Sequence, residues 1–329
     1  MRRIGGDQVA EIGLGCMNLS HAYGRPPPPA QARRVLLRAV DLGVTHFDCA
    51  ALYGFGRNEI LLGEVLAPLR AHIHLASKCG MTGVDGKRVI DGRPATLKRT
   101  LEESLARLRT EVIDLYYLHR WDRRVPIEDS IGAMADMVAA GKVRAIGLSE
   151  VSAATLRRAH AVHPISAVQS EYSLWSRNAE VAVLEECRRI GAAFVAFSPL
   201  GRGFLAGSIT DPDRLEPGDL RKPMPRFQAE HWPANAALQD RYRALAAEAG
   251  CAPSQLALAW LLHKSPLIVP IPGTTSVTHL EENVAAAALR LEPALFTRVE
   301  ALVNSRTVSG PRYPAATQAE IDTEELPAQ

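Results

Sequence analysis

Short apolar runs alternate with amphipathic stretches along most of this chain. Eight runs read as strands: 12–16 (IGLGC), 45–49 (THFDC), 73–78 (IHLASK), 113–119 (IDLYYLH), 145–149 (AIGLS), 166–170 (SAVQS), 193–198 (AFVAFS) and 267–271 (LIVPI). They are β-branched, aromatic or aliphatic, with little polar alternation, as parallel strands buried on both faces should be. Between them the apolar period lengthens. Leu97, Leu101, Leu105 and Leu108 mark one helical face. Ile131, Met134 and Val138 mark a second, with Gly141 placed to end it, and Val181, Leu184, Cys187 and Ile190 mark a third that stops at Gly191. Leu280, Val284 and Ala287 mark one near the end, and the Pro26–Pro29 run leads into a helix with a proline at its start.

Eight strands alternating with helices predict an α/β fold, a (β/α)8 TIM barrel. An open doubly wound sheet is the alternative, but the Gly-x-Gly-x-x-Gly turn it usually carries after its first strand is absent. The expected organisation is a single barrel domain over 1–329, with its core at about 10–303 and a tail at 304–329. Stretches 79–94 and 199–235 are too long for minimal connections and follow strand ends. They predict long loops at the C-terminal face of the strands, where barrels carry their sites.

Composition narrows the function. The 329 residues are 47% hydrophobic and 22% charged, and 38 basic against 36 acidic side chains leave a net charge of +2. Nothing here has the basic excess of a nucleic-acid binder. Mean hydropathy is −0.05 and no apolar run reaches the ~20 residues of a membrane span. The opening MRRIGGDQVA lacks an apolar segment, so no signal peptide is expected. Five scattered cysteines form no disulfide framework. The expectation is a cytoplasmic protein, a monomer or small homo-oligomer, with no nucleic-acid or membrane partner.

The strand ends carry the chemistry. Asp48, Lys78 and His119 end three consecutive strands, and Tyr53 lies in the loop just past Asp48. A lysine cation beside a phenol stabilises the phenolate, and a carboxylate holds the lysine in place. The expected product is a proton donor tuned from about 10 toward neutrality, with a histidine to orient a carbonyl. Such a set reduces carbonyls when a hydride donor is present. A rival reading assembles zinc from Cys16, Cys49, Cys79 and His119, although no C-x₂-C or H-x-H pair ends these strands and His72-x-His74 begins one.

These residues sit in segments that resemble the aldo-keto reductase family. VTHFDCAALYG (44–54), LKRTLEESLARLRTEVIDLYYLH (97–119) and IPGTTSVTHLEEN (271–283) are similar to its signatures, and GLGCMN and SPLGRGFLAG (198–207) fit as well. With LHR and GLSE, the pattern looks closest to the bacterial and plant group of pyridoxal and perakine reductases. The resemblance implies reduction of a small-molecule aldehyde or ketone with NADP(H) or NAD(H), and no metal. It makes Tyr53 the acid, Lys78 its modulator, Asp48 the lysine's partner and His119 the carbonyl-orienting group. It places Ser149, Glu150 and Gln169 at the nicotinamide carboxamide and Phe197 on the ring. Ser198, Pro199, Leu200, Gly201, Gly203 and Leu205 fall in the pyrophosphate loop. Gly273, Thr274, Thr275, Ser276, His279, Glu282 and Asn283 fall at the adenosine end.

Departures qualify the match. Cys49, Glu150 and Phe197 stand where many members have Thr, Asn and Tyr. Thr275 and His279 stand where many have arginine, so a reduced preference for NADPH over NADH is expected. A cofactor-holding regulatory subunit, as the potassium-channel β subunits resemble, is the remaining alternative. Tyr23, Phe55, Trp121, Phe204, Phe227, Trp232 and Tyr313 are the aromatic candidates for a substrate pocket.

Overall fold

The computed structural model describes residues 1–84 and 86–326. Asp85, inside the expected loop 79–94, and residues 327–329 of the tail lie outside the described residues. A two-stranded hairpin opens the chain, β1 (Arg2–Ile4) and β2 (Asp7–Val9). The main sheet then takes β3 (Leu14–Gly15), β4 (His46–Asp48) and β5 (His74–Cys79). A second hairpin, β6 (Met81–Val84) and β7 (Lys87–Ile90), stands above β5. The sheet resumes with β8 (Ile113–Leu118), β9 (Val143–Ser149), β10 (Ile165–Glu171), β11 (Ala193–Phe197) and β12 (Ile268–Pro270). The eight main strands are parallel neighbours in chain order.

The edge strands of this curled sheet are also hydrogen-bonded to each other. Gly13 N–H donates to Pro270 O at 3.0 Å and Gly15 N–H to Pro272 O at 3.2 Å. The glycines are needed for that approach. A Cβ on Gly15 would stand 2.7 Å from Ile271 O, and one on Gly13 2.9 Å from the His46 ring. β3 spans two residues of the predicted 12–16.

Helices cover the outer face: α1 (Pro29–Asp41), α2 (Arg57–Leu66), α3 (Pro94–Leu108), α4 (Ile127–Ala139), α5 (Ala153–Val162), α6 (Val183–Ile190), α7 (Trp232–Glu248), α8 (Pro253–Lys264), α9 (Val277–Ala285) and α10 (Pro293–Leu302). The leucine face of α3 is buried as its spacing predicts. Gly141 and Gly191 have φ of 71° and 72°, the left-handed backbone that ends α4 and α6. Val181 departs from the predicted face. It precedes α6 and is exposed, and the buried positions are Val183, Glu186 and Cys187.

The core has two apolar layers. Side chains on the outer face of the sheet pack beneath the helices. Inside the sheet, Ala76, Leu115, Tyr117, Ala167, Val195 and Val269 meet Ile4 and Val9 of the N-terminal hairpin, which plugs the N-terminal end of the strands. Arg2 pins the hairpin with hydrogen bonds to Leu262 O and Ser265 O. No single helix among the described residues is long and apolar enough to cross a membrane.

Candidate active site

Asp48, Lys78 and His119 come together at the C-terminal ends of β4, β5 and β8, with Tyr53 one turn past β4. Lys78 is completely buried and donates to Asp48 Oδ1 and, at 2.8 Å, to Cys49 O. Asp48 Oδ2 accepts from Gln169 Nε2 at 2.7 Å. The carboxylate is thus fixed from two sides, and the ammonium lies 5.0 Å from the centre of the Tyr53 ring. The Tyr53 and His119 rings meet edge to face at 5.7 Å, and His21 stacks on the other side of Tyr53 at 6.4 Å.

Electrostatics assign protonation states. Burial works against the Lys78 ammonium, but Asp48 and Tyr53 outweigh it and hold its pKa above the ordinary lysine value. Burial raises the Tyr53 pKa, and Lys78 pulls it down without cancelling that rise. The expectation that lysine would tune this phenol toward neutrality is therefore corrected. In a buried site the cost of a phenolate exceeds the lysine's help, and Tyr53 stays a neutral donor. Burial, reinforced by Arg120, Lys78 and Arg88, pushes His119 well below the ordinary histidine value. A neutral imidazole N–H can donate to a carbonyl without carrying charge into the site.

The remaining predicted residues lie along the next strand ends. Ser149, Glu150 and Gln169 are buried at the tops of β9 and β10. Glu150 has other partners: its Oε1 accepts from Glu171 N–H at 2.8 Å, and its Oε2 pairs with Arg312. Phe197 ends β11, followed by Ser198, Pro199, Leu200, Gly201, Gly203 and Leu205. Ser198, Gly201, Arg202 and Gly203 have φ of 47°, 54°, 57° and 98°. Glycine-rich backbone of this kind lets a phosphate approach the chain closely, while Gly201, Gly203, Phe204 and Leu205 donate their N–H groups to Ser198, Leu200 and Gly201 carbonyls within the loop. Gly273, Thr274 and Thr275 lead to the N-terminus of α9, where Ser276 caps His279 N–H. His279 is exposed on the first turn, Asn283 is buried, and Glu282 accepts from Ser254 Oγ. Buried acceptors still without partners among the described residues, Asn18 Oδ1 beside Gly273 and His119 Nδ1 in the tetrad, mark the two ends of this arc. The donor set, the left-handed loop and the helix terminus fit a dinucleotide.

Glu171, Arg202 and Arg312 were not legible in the sequence. Glu171 binds Arg202 Nη2 at 2.6 Å and faces Arg312 Nε at 3.5 Å, and Tyr313 Oη accepts from Arg202 at 2.8 Å. Burial would raise the Glu171 carboxyl, but Arg202, Arg312 and Arg226 bring it down to about 2. The tail therefore packs into the site's rim. Asp322 accepts from Ser152, and Glu324 accepts from Ala153 N–H. The stretch 79–94 forms a hairpin rather than an irregular loop. Two cavities lie along the tail, one of about 430 Å³ against Arg123 and one of about 440 Å³ against that hairpin and residues 121–124, and neither is lined by Asp48, Tyr53, Lys78 or His119.

The aromatic candidates separate. Trp175 stacks on Phe204 at 4.2 Å and meets Phe227 edge-on, and Phe227 stacks on Trp232, so these three predicted pocket residues form loop core. Tyr313 is buried against Arg202 and Arg312. Phe55 is exposed, and its ring occupies the space a Gly83 side chain would need. The zinc reading has no geometric support. Cys16, Cys49 and Cys79 are buried and donate to backbone carbonyls, and burial pushes the Cys79 thiol up to about 12. No three metal-ligating side chains converge among the described residues.

Known proteins share this fold. A glycerol dehydrogenase of Gluconobacter oxydans is 28% identical with a TM-score of 0.85, over 95% of this chain and 98% of that one. An aldo/keto reductase of Klebsiella pneumoniae, solved with NADP and acetate, is 25% identical with a TM-score of 0.73 over the same shares. An aldo-keto reductase of Bacillus halodurans shares the fold at 24% identity and a TM-score of 0.77, again over 95% and 98%. The family model of the aldo/keto reductases matches residues 11–304, which takes in every strand end described above. The chain belongs to the aldo/keto reductase family of NAD(P)H-dependent oxidoreductases.

Proposed function

We propose that this chain reduces small aldehydes or ketones to alcohols with NADP(H), with Tyr53 as the general acid. The observation that carries the reading is the buried Asp48–Lys78 pair beside a neutral Tyr53 and a neutral His119. When bound, the reduced nicotinamide supplies a hydride, and with it two electrons, to the carbonyl carbon. His119 donates a hydrogen bond that orients and polarises the carbonyl. Tyr53 gives its hydroxyl proton to the oxygen as the C=O π bond opens, and Lys78 stabilises the phenolate left behind until solvent reprotonates it. Asp48 keeps the ammonium in place.

Ser149, Gln169, Phe197, the 198–205 loop and the α9 terminus are the residues that would hold the dinucleotide, with the Klebsiella relative's NADP as supporting likeness. NAD(H) is the alternative cofactor. The edge-strand hydrogen bonds support a closed barrel with long loops at its C-terminal face, forming one domain. Within the family, the motifs support the pyridoxal and perakine reductase-like group. A cytoplasmic monomer or small homo-oligomer completes the reading. The test is a titration of NADPH followed by tryptophan quenching, with turnover of a panel of aldehydes. Binding with steady turnover supports a reductase. Binding without turnover favours a regulatory cofactor-holding subunit, and no binding overturns both.

A further inference from the structure

Arg120 follows the tetrad histidine directly and turns its side chain back across the strand ends. Its Nη1 donates to His119 O at 2.6 Å and to Ser149 Oγ at 3.2 Å. The guanidinium is therefore anchored by one nitrogen between the carbonyl-orienting residue and the top of β9. Its positive charge reaches both Tyr53 and His119, opposing the burial-driven rise at Tyr53 and adding to the burial-driven fall at His119. Nε and Nη2 make no hydrogen bond among the described residues. These two nitrogens form one edge of the guanidinium fork, the edge that matches the two oxygens of a carboxylate.

The charge is also uncompensated. Arg88, the neighbouring cation felt at His119, is held by Glu320 at 2.5 and 2.6 Å. Arg124 is held by Asp122, and Arg123 faces Asp322. Asp48 is spent on Lys78 and Gln169. Among the described residues no carboxylate lies within ion-pair distance of Arg120. Arg70, by contrast, spends its fork on protein acceptors, with hydrogen bonds to Ile73 O and Val112 O and an ion pair to Asp114.

We propose that Arg120 is a specificity-determining residue that binds a carboxylate on the substrate, so that the preferred substrates are oxo acids with the carboxylate within a few bonds of the carbonyl. The inference rests on the carbonyl-reductase reading above. Tyr53 and His119 hold the carbonyl oxygen, and the free edge of Arg120 takes the acid beside it. The reaction is unchanged: hydride to the carbonyl carbon, proton from Tyr53 to its oxygen, and the carboxylate untouched.

The test compares 4-oxobutanoate with its methyl ester, which keeps the aldehyde and removes the charge. The expected wild-type kcat/KM favours the acid, mainly through KM. In Arg120→Gln the acid-to-ester ratio falls about 10- to 100-fold, the size of a charged hydrogen-bond pair. Arg120→Lys, which keeps charge without the fork, recovers part of it. Calorimetry on the NADP⁺ complex gives a readout without turnover: 4-hydroxybutanoate binds the wild type and weakens by the same factor in Arg120→Gln, and NADPH affinity moves less than the ratio. An ester reduced as well as the acid, or a ratio unmoved by Arg120→Gln, overturns the proposal and leaves the reductase reading standing. NADPH affinity falling in step with both substrates assigns Arg120 to the cofactor and overturns it too. If neither compound nor any other aldehyde is reduced, the reductase reading itself fails.

Discussion

Arg312, from the C-terminal tail, forms a buried ion pair with Glu150 at the top of β9, 162 residues away in sequence. The carboxylate that family resemblance places at the nicotinamide carboxamide is bound to the tail and to Glu171 N–H. Arg312 also faces Glu171, which in turn holds Arg202 on the 198–205 loop. The tail, β9, β10 and the proposed pyrophosphate loop are thus tied together by largely buried charges.

Breaking that pair leaves a buried carboxylate alone. Arg312→Met is expected to destabilise the fold by about 3–5 kcal/mol, the usual cost of stranding one member of a buried pair. Glu150→Gln combined with Arg312→Met removes both charges and is expected to recover a large part of the loss. Chemical denaturation of the wild type and the two variants checks this. Equal stability of the single and double variants would mean the pair is not coupled as drawn.

The strand runs and the tetrad were legible because both follow local rules. Parallel strands buried on both faces read as apolar runs, and groups such as Lys78 and His119 are conspicuous where such runs end. The N-terminal hairpin also has a local signal, a glycine pair between Ile4 and Asp7, with Gly5 at φ of 58°. Arg312 had no such signal. Nothing in local spacing connects it to Glu150, because only the closed fold brings the tail to that strand end. The Tyr53 pKa was misjudged for a related reason. Sequence shows the neighbouring lysine, but burial, which dominates, is a property of the assembled site.

A second prediction concerns the adenosine end. His279 is exposed on the first turn of α9, at a position where the family resemblance implies an arginine. His279→Arg is expected to raise the ratio of NADPH to NADH affinity about tenfold, the worth of one charge-assisted hydrogen bond to the 2′-phosphate. Parallel fluorescence titrations with both dinucleotides measure it. A ratio unmoved by the substitution would place the 2′-phosphate elsewhere.

A third concerns acid stability. His46 and His74 begin β4 and β5, and their Nδ1 atoms lie 2.9 Å apart in the buried end of the sheet. Burial lowers both pKa values, the His74 charge adds to the fall at His46, and Asp114 and Asp7 oppose it in part at His74. A histidine whose folded pKa lies below its unfolded value near 6.5 takes up its proton more readily when unfolded. The stability it protects is complete above about 6.5 and drains as pH falls toward the lowered folded pKa. Each such histidine contributes roughly 1.4 kcal/mol per pH unit in that window. Unfolding free energy measured from pH 8 to 5 is expected to fall below 6.5, with a shallower slope in a His46→Gln variant. His119 shares the same direction and keeps part of the slope in that variant.

The last prediction tests the acid. Tyr53→Phe removes only a hydroxyl, and the ring still packs between His21 and His119. Stability and NADPH affinity are expected to change little, because the proposed dinucleotide contacts lie on β9 to β12 and α9. Carbonyl reduction is expected to fall ~10²–10⁴-fold, the usual contribution of general acid catalysis. Because burial keeps the wild-type phenol neutral, kcat/KM for reduction is expected to stay flat through neutral pH and to decline only above about 10. Lys78→Met differs in kind. It strands Asp48 with only Gln169 as donor, so it should cost about 3–5 kcal/mol of stability as well as activity. Rates, NADPH dissociation constants and melting curves of the two variants, measured side by side, separate the roles. A folded Tyr53→Phe protein that binds NADPH and reduces its best aldehyde within a few-fold of wild type would remove Tyr53 as the proton donor, and the proposed mechanism with it.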